Sequence, residues 1–148
     1  FDMRNGLLKG AVLALTLGLS APGQAQESSY TPGNYSDVSA IDVLDGQFEN
    51  YMDYLAGPWK AQQEFAKSKG YITGYQVLAN PYARAGEPDL FLVVVYSKIY
   101  DNAEQVRQQK EFEEFMKSDR RKLDTAYGAR STMRKSMGQQ QLQELKLK

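Results

Sequence analysis

The stretch "NPYARAGEPDLFLVVVYSKIY", residues 80–100, decides the architecture. From Leu90 to Tyr96 every position is apolar, so Leu90, Leu92, Val94 and Tyr96 line one face of a strand and Phe91, Val93 and Val95 the other. A sheet strand with one wet face alternates apolar and polar residues; this one does not. Exposing three such side chains costs about 1.5–3 kcal/mol each, so both faces are expected to be covered. Ahead of the strand, Arg84 sits in a loop punctuated by Pro81, Gly86 and Pro88.

Working outward, Val38–Leu44 reads as a first strand, with Ile41 and Val43 on one face and Val38, Ala40 and Leu44 on the other. Asp45-Gly46 ends it, and Asp45 is placed to cap the helix that follows. Phe48, Met52, Leu55 and Trp59 recur at helical spacing, and Phe65 and Ala66 continue the stripe. Gly57-Pro58 predicts a kink or restart, because proline removes a backbone donor and crowds the preceding turn. Gly70 is a stop signal. Tyr71–Ala79 reads as the second strand and Leu90–Tyr100 as the third. A helical tract over 103–134 follows, with breaks possible at Ser118-Asp119 and Gly128, and Gln139–Leu147 closes the chain as a fourth strand. Charges in the helical tract, Glu113 with Lys117 and the Arg120-Arg121-Lys122 run among them, read as a solvated face.

This is an α+β order, β-α-β-β-α-β, the split βαβ pattern of the ferredoxin-like fold, with an antiparallel sheet and helices on one face. The third strand is then central. The economical cover for its second face is another copy of the same sheet, meeting it across a two-fold axis. The alternative is that the 103–134 tract wraps around to shield both faces.

Before this domain, Arg4 and Lys9 precede an uncharged run, Ala11–Leu19, and then Ser20-Ala21-Pro22-Gly23-Gln24-Ala25. That is the layout of a secretory signal peptide over residues 1–25, with Phe1 and Asp2 preceding Met3. Its apolar run is shorter than the ~20 residues a bilayer span takes. The polar segment 26–37 reads as a flexible leader, leaving 38–148 as the folded domain. A periplasmic or secreted location follows, with no stable membrane anchor after cleavage.

Lys plus Arg number 18 and Asp plus Glu also 18, so nothing in the overall charge argues for nucleic acid. The chain has neither cysteine nor histidine. Disulfides, Cys/His zinc sites, His-based acid/base catalysis and Ser-His-Asp or Cys-His nucleophile systems are therefore excluded. The acidic residues show no metal-ligand spacing, and Gly70-Tyr71-Ile72-Thr73-Gly74 lacks the pattern of a phosphate loop. No cofactor is expected.

The residues able to hold a small molecule are aromatic, with one arginine: Tyr51, Tyr54, Trp59, Tyr75, Arg84 and Tyr96. Tyrosine and tryptophan offer a broad apolar body and a polar tip, and an arginine fork matches a carboxylate. Each also has a plainer reading. Trp59 lies on the helical core stripe, Tyr75 and Tyr96 pack on a sheet, and Arg84 neighbours Glu87 and Asp89 for a loop salt bridge.

The strand order, the doubly apolar third strand and the pieces "YLAGPWKAQQEFAKSKGYI" (54–72) and "ARAGEPDLFLVVVY" (83–96) resemble the dimeric α/β-barrel superfamily. The resemblance covers about residues 38–148 and is nearest to small exported bacterial proteins of unassigned function. It implies a homodimer through the sheet and a pocket for small aromatic or tetrapyrrole ligands. Haem-using relatives present a histidine to iron, which this chain lacks. Two functions stay open: an exported, non-catalytic or small-molecule-binding dimeric barrel, or a cofactor-independent monooxygenase-like enzyme acting on a small aromatic substrate. A deep, polar-lined and open pocket favours the second; one filled by Trp59 and the tyrosines favours the first.

Overall fold

The computed structural model describes residues 27–148. The signal peptide expected over 1–25 lies outside the described residues. The fold is α+β: β1 (Tyr30–Val43), α1 (Phe48–Tyr54), α2 (Lys60–Ser68), β2 (Gly74–Ala79), β3 (Leu90–Tyr96), α3 (Asn102–Phe115), α4 (Arg120–Ala129) and β4 (Arg134–Leu147). The four strands form one antiparallel sheet in the order β2-β3-β1-β4. β3 is thus an inner strand, as its apolar run requires.

β1 begins at Tyr30, so most of the expected 26–37 leader is strand. Composition misleads there because backbone pairing does the work. Tyr30 to Pro32 register with Leu147 to Leu145, and a bulge before Tyr35 absorbs the proline, which has no amide to donate. β4 likewise starts at Arg134, five residues before Gln139, and β3 ends at Tyr96 rather than Tyr100. A further bulge in the β1–β4 ladder, between Ala40 and Ile41, falls beside Gly138, whose φ is 114°.

The helix after β1 is capped differently from expectation. Gln47, not Asp45, is the N-cap residue and makes no side-chain cap; Asp45 and Gly46 form the turn, closed by the Gln47 amide donating to the Leu44 carbonyl at 2.9 Å. Of the expected stripe, Leu55 and Trp59 are buried and Met52 packs against the core, but Tyr51 takes the place of Phe48, which is exposed. Gly57-Pro58 does not end the helix. Leu55–Trp59 forms a π-helical turn that joins α1 to α2, and this wider turn accommodates Pro58. Gly70, at φ 74°, stops α2 as expected. Its amide donates to the Lys67 carbonyl (3.0 Å) and that of Tyr71 to Ala66 (2.9 Å), a Schellman closure.

The 103–134 tract divides at Ser118-Asp119. The Asp119 side chain accepts from the Lys122 amide at 2.9 Å and caps α4; Asp101 caps α3 in the same way through Glu104. Gly128 is not a break and lies inside α4, and Met133 and Arg134 are already past the helix. Glu113 engages Gln109 rather than Lys117.

Ile41, Tyr51, Leu55, Trp59, Leu90 and Leu92 form the core, with Tyr75, Val77 and Val94 packed against it. The inward-facing residues of β1 and β3 are therefore the Ile41 and Leu90–Leu92–Val94 sets. The opposite face carries Phe91, Val93 and Val95, registered with Ala40, Val38 and Ser36 on β1 and with Leu78, Gln76 and Gly74 on β2. Strand neighbours alone bring Val93 to 7% exposure, but Leu142 at 51% and Leu78 remain open.

Candidate functional site

Three adjacent strands place a polar set on the helix-facing side of the sheet. Asp37 and Tyr35 lie on β1, Tyr96 ends β3, and Gln141 lies on β4 in register with Asp37. The Tyr96 hydroxyl donates to Asp37 Oδ1 at 2.8 Å and accepts from Gln141 Nε2 at 2.6 Å. Its ring stacks on Tyr35 at 5.9 Å. Burial, and then the bond to the Asp37 carboxylate, push the Tyr96 hydroxyl above the ordinary tyrosine range. At neutral pH it is a proton donor.

Above this floor α3 stands away from the sheet, and an open cavity of about 480 Å³ lies between them. Phe65 and Phe112 form its helical wall, Val94 and Tyr96 its sheet wall, and Gln105, Gln108 and Gln109 bring amides from α3. Phe65 stacks on Phe115 at 4.2 Å, which ties α2 to α3. At the rim the Tyr71 hydroxyl donates to the Glu111 carboxylate, while Arg107 pairs with Glu111 at 2.6 Å. That bond raises the Tyr71 pKa and lowers that of Glu111. The cavity is mainly apolar with a few convergent polar groups, the composition of a small-molecule site.

Of the six residues expected to hold a ligand, only Tyr96 lines this cavity. Tyr51, Tyr54 and Trp59 line a second, smaller one of about 250 Å³ under α1 and α4. Tyr51 is only 1% exposed and Trp59 packs edge-on against Tyr75 at 5.5 Å, so both also serve the core. The Tyr75 hydroxyl engages Glu64 at the surface. Arg84 pairs with Glu87, its side chain is 85% exposed, and it lines neither cavity. Asp89, its other expected partner, instead accepts from the Val43 amide at 2.8 Å and ties the loop to β1.

The arginines that do face a cavity are Arg130 and Arg134, together with Tyr127, in the second one. Neither was marked by sequence pattern, since both fall at the end of a helical tract where cations are ordinary. Asp37 and Gln141 were equally hidden, because their roles come from strand register across 104 residues of chain.

Among the described residues no group of three or more His, Cys, Asp or Glu side chains is placed to hold a metal ion, and no helix is long and apolar enough to cross a membrane. No protein-family model, curated protein or solved structure matches the chain in the comparisons made.

Proposed function

We propose that the protein is an exported, small-molecule-binding domain of the ferredoxin-like type that pairs through its open sheet face into a dimeric α/β barrel. The observation that carries the binding reading is the open aromatic cavity floored by Asp37, Tyr96 and Gln141. Tyr51 and Trp59 are packed into the core, which favours ligand binding over the cofactor-independent oxygenase reading.

The ferredoxin-like reading is supported by the strand order. β1 and β2 are each antiparallel to β3 and so run parallel to one another with β3 between them. The dimer reading is supported by the uncovered face. Its central positions, Ser36, Val38, Ala40, Gln76, Leu78, Phe91, Val93, Val95, Gln140 and Leu142, hold no charged side chain, and Asp42, Lys135 and Glu144 lie at its ends. The helices that could have wrapped around it contribute instead to the cavities on the opposite face. An uncharged, apolar patch of this kind marks an association surface. Export rests on the N-terminal layout, and sequencing of the exported protein should begin near Gln26.

Native mass spectrometry of protein purified from its own cells tests the binding and dimer readings together. The expected species is a dimer carrying a small molecule, whose retention falls in a Tyr96→Phe variant. A monomer without adduct, at concentrations of tens of micromolar (roughly, for an obligate interface, far above its dissociation constant), would reject both.

A further inference from the structure

Among the described residues Arg134 is the only buried charged side chain, at 7% exposure. Its Nε is buried and has no hydrogen-bond partner, and no ion pair reaches its guanidinium among the described residues. A cation taken out of water needs a counter-charge or a full set of acceptors. The cavity it lines supplies no counter-charge: its walls include Arg130 and Arg134, with Ser39, Gln62, Ser136 and Gln139, but no acidic residue.

What surrounds the charge is aromatic. Arg134 lies over the Tyr127 ring at 4.6 Å, and Arg130 lies over Tyr54 at 4.6 Å and Tyr127 at 5.3 Å. Such contacts attract the cation through the ring face but accept none of the N–H groups at the edge of the guanidinium plane. Those N–H groups form a fork whose geometry matches a carboxylate. Tyr51 and Trp59 complete the apolar walls of the 250 Å³ space. Burial raises the Tyr51 hydroxyl pKa and the Arg134 charge opposes the rise, as expected for a phenol that stays neutral beside a cation.

We propose that this cavity, separate from the one at Tyr96, binds a small aromatic carboxylate. The acid group takes the unpartnered edge of Arg134, Arg130 adds a second positive charge, and the ring lies among Tyr51, Tyr54, Trp59 and Tyr127. An aromatic carboxylate rather than a bare inorganic anion is favoured because the rings of Tyr51, Tyr54, Trp59 and Tyr127 line the cavity beside the two arginines, with Ser39, Gln62, Ser136 and Gln139 supplying the remaining polar wall.

The test uses the full chain and three probes: benzoate, benzamide of the same shape without charge, and inorganic phosphate with charge but no ring. Calorimetry measures binding, and the fluorescence of Trp59, the only tryptophan in the chain, reports it locally. Benzoate is expected to bind saturably with a Kd below about 1 mM, and benzamide and phosphate about tenfold or more weakly. Absence of saturable benzoate binding overturns the proposal. Benzamide binding as tightly overturns the role of Arg134, and phosphate binding as tightly overturns the aromatic acid in favour of a general anion site. Arg134→Gln, with its fold checked by circular dichroism, should weaken benzoate roughly thirtyfold or more; unchanged affinity in the folded variant counts against the site. Should that variant fail to fold, Arg130→Gln at the less buried position gives the corresponding comparison, and the three probes on the unmodified protein still decide the outcome.

Discussion

The Tyr96 hydroxyl and the Asp37 carboxylate meet at 2.8 Å across two neighbouring strands, although 59 positions separate them in the chain. Asp37 lies in the polar segment before the first expected strand, and Tyr96 at the end of the doubly apolar one. Gln141 donates to the same hydroxyl from the other side of β1. This three-strand bridge connects the open cavity to the stability of the sheet.

Tyr96→Phe removes a hydrogen bond to a carboxylate that is half-buried and makes no other side-chain bond among the described residues. The expected loss is about 1–3 kcal/mol of stability, since such a bond involves a charged acceptor. Urea unfolding with an unchanged m-value and a lowered midpoint would match; an unchanged midpoint would show that solvent replaces the bond at no cost.

Leu142→Glu places a charge on the open sheet face, on the edge strand β4, at a position already 51% exposed in the single chain. The protomer should therefore keep its fold while losing its partner. Sedimentation equilibrium is expected to show dimer for the unmodified protein and monomer for the variant. Equal masses for the two would place the interface elsewhere.

Gly70 and Gly128 are expected to respond to alanine with opposite signs. Gly70 sits at φ 74°, and although a Cβ would meet nothing within 4 Å, the left-handed backbone itself costs an L-residue about 1–2 kcal/mol. Gly128 lies inside α4 with equally open space, so alanine should stabilise by about 0.5–1 kcal/mol. Thermal or urea denaturation of the two single variants checks both, and a shared sign would refute the conformational argument.

Alkaline pH should weaken the fold. Burial raises the hydroxyl pKa of Tyr51, Tyr54 and Tyr96, and carboxylate bonds from Glu111 and Glu64 raise those of Tyr71 and Tyr75. A folded-state value above the unfolded one leaves stability intact below the unfolded pKa, about 10, and loses it as pH climbs toward the raised values. Tyrosinate absorbance should accordingly rise late for these five and coincide with loss of the circular dichroism signal. Ionisation of all ten tyrosines as a single ordinary population, with the fold intact, would contradict the assignment.

Much of this architecture is legible in one dimension. Seven consecutive apolar residues from Leu90 to Tyr96 require an inner strand, and Gly70 requires a helix end, because each rests on a local rule of side-chain alternation or backbone sterics. The salt bridge of Arg84 with Glu87 is local for the same reason: three positions apart in one loop, the two can scarcely avoid each other. The beginnings of β1 and β4 are not local. Tyr30–Asp37 and Arg134–Gly138 become strand only because each pairs with residues about a hundred positions away, and those ladder bonds outweigh polar composition. Helical phase depends on packing in the same way. Phe48 and Tyr51 both fit a helical stripe, and packing against Ile41, Leu90 and Leu92 buries Tyr51 while Phe48 stays exposed.

The sequence by itself determined the α+β class, the absence of histidine and cysteine chemistry, and the demand that both faces of one strand be covered. These depend on residue identity and periodicity alone. Tertiary structure decided where the charges go. It left Arg84 in solvent, buried Arg134 among aromatic rings with its Nε unpartnered, and brought Asp37, Tyr96 and Gln141 together on one sheet face. Desolvation and hydrogen-bond partnership depend on what surrounds a side chain in three dimensions, and neither is encoded in its spacing along the chain.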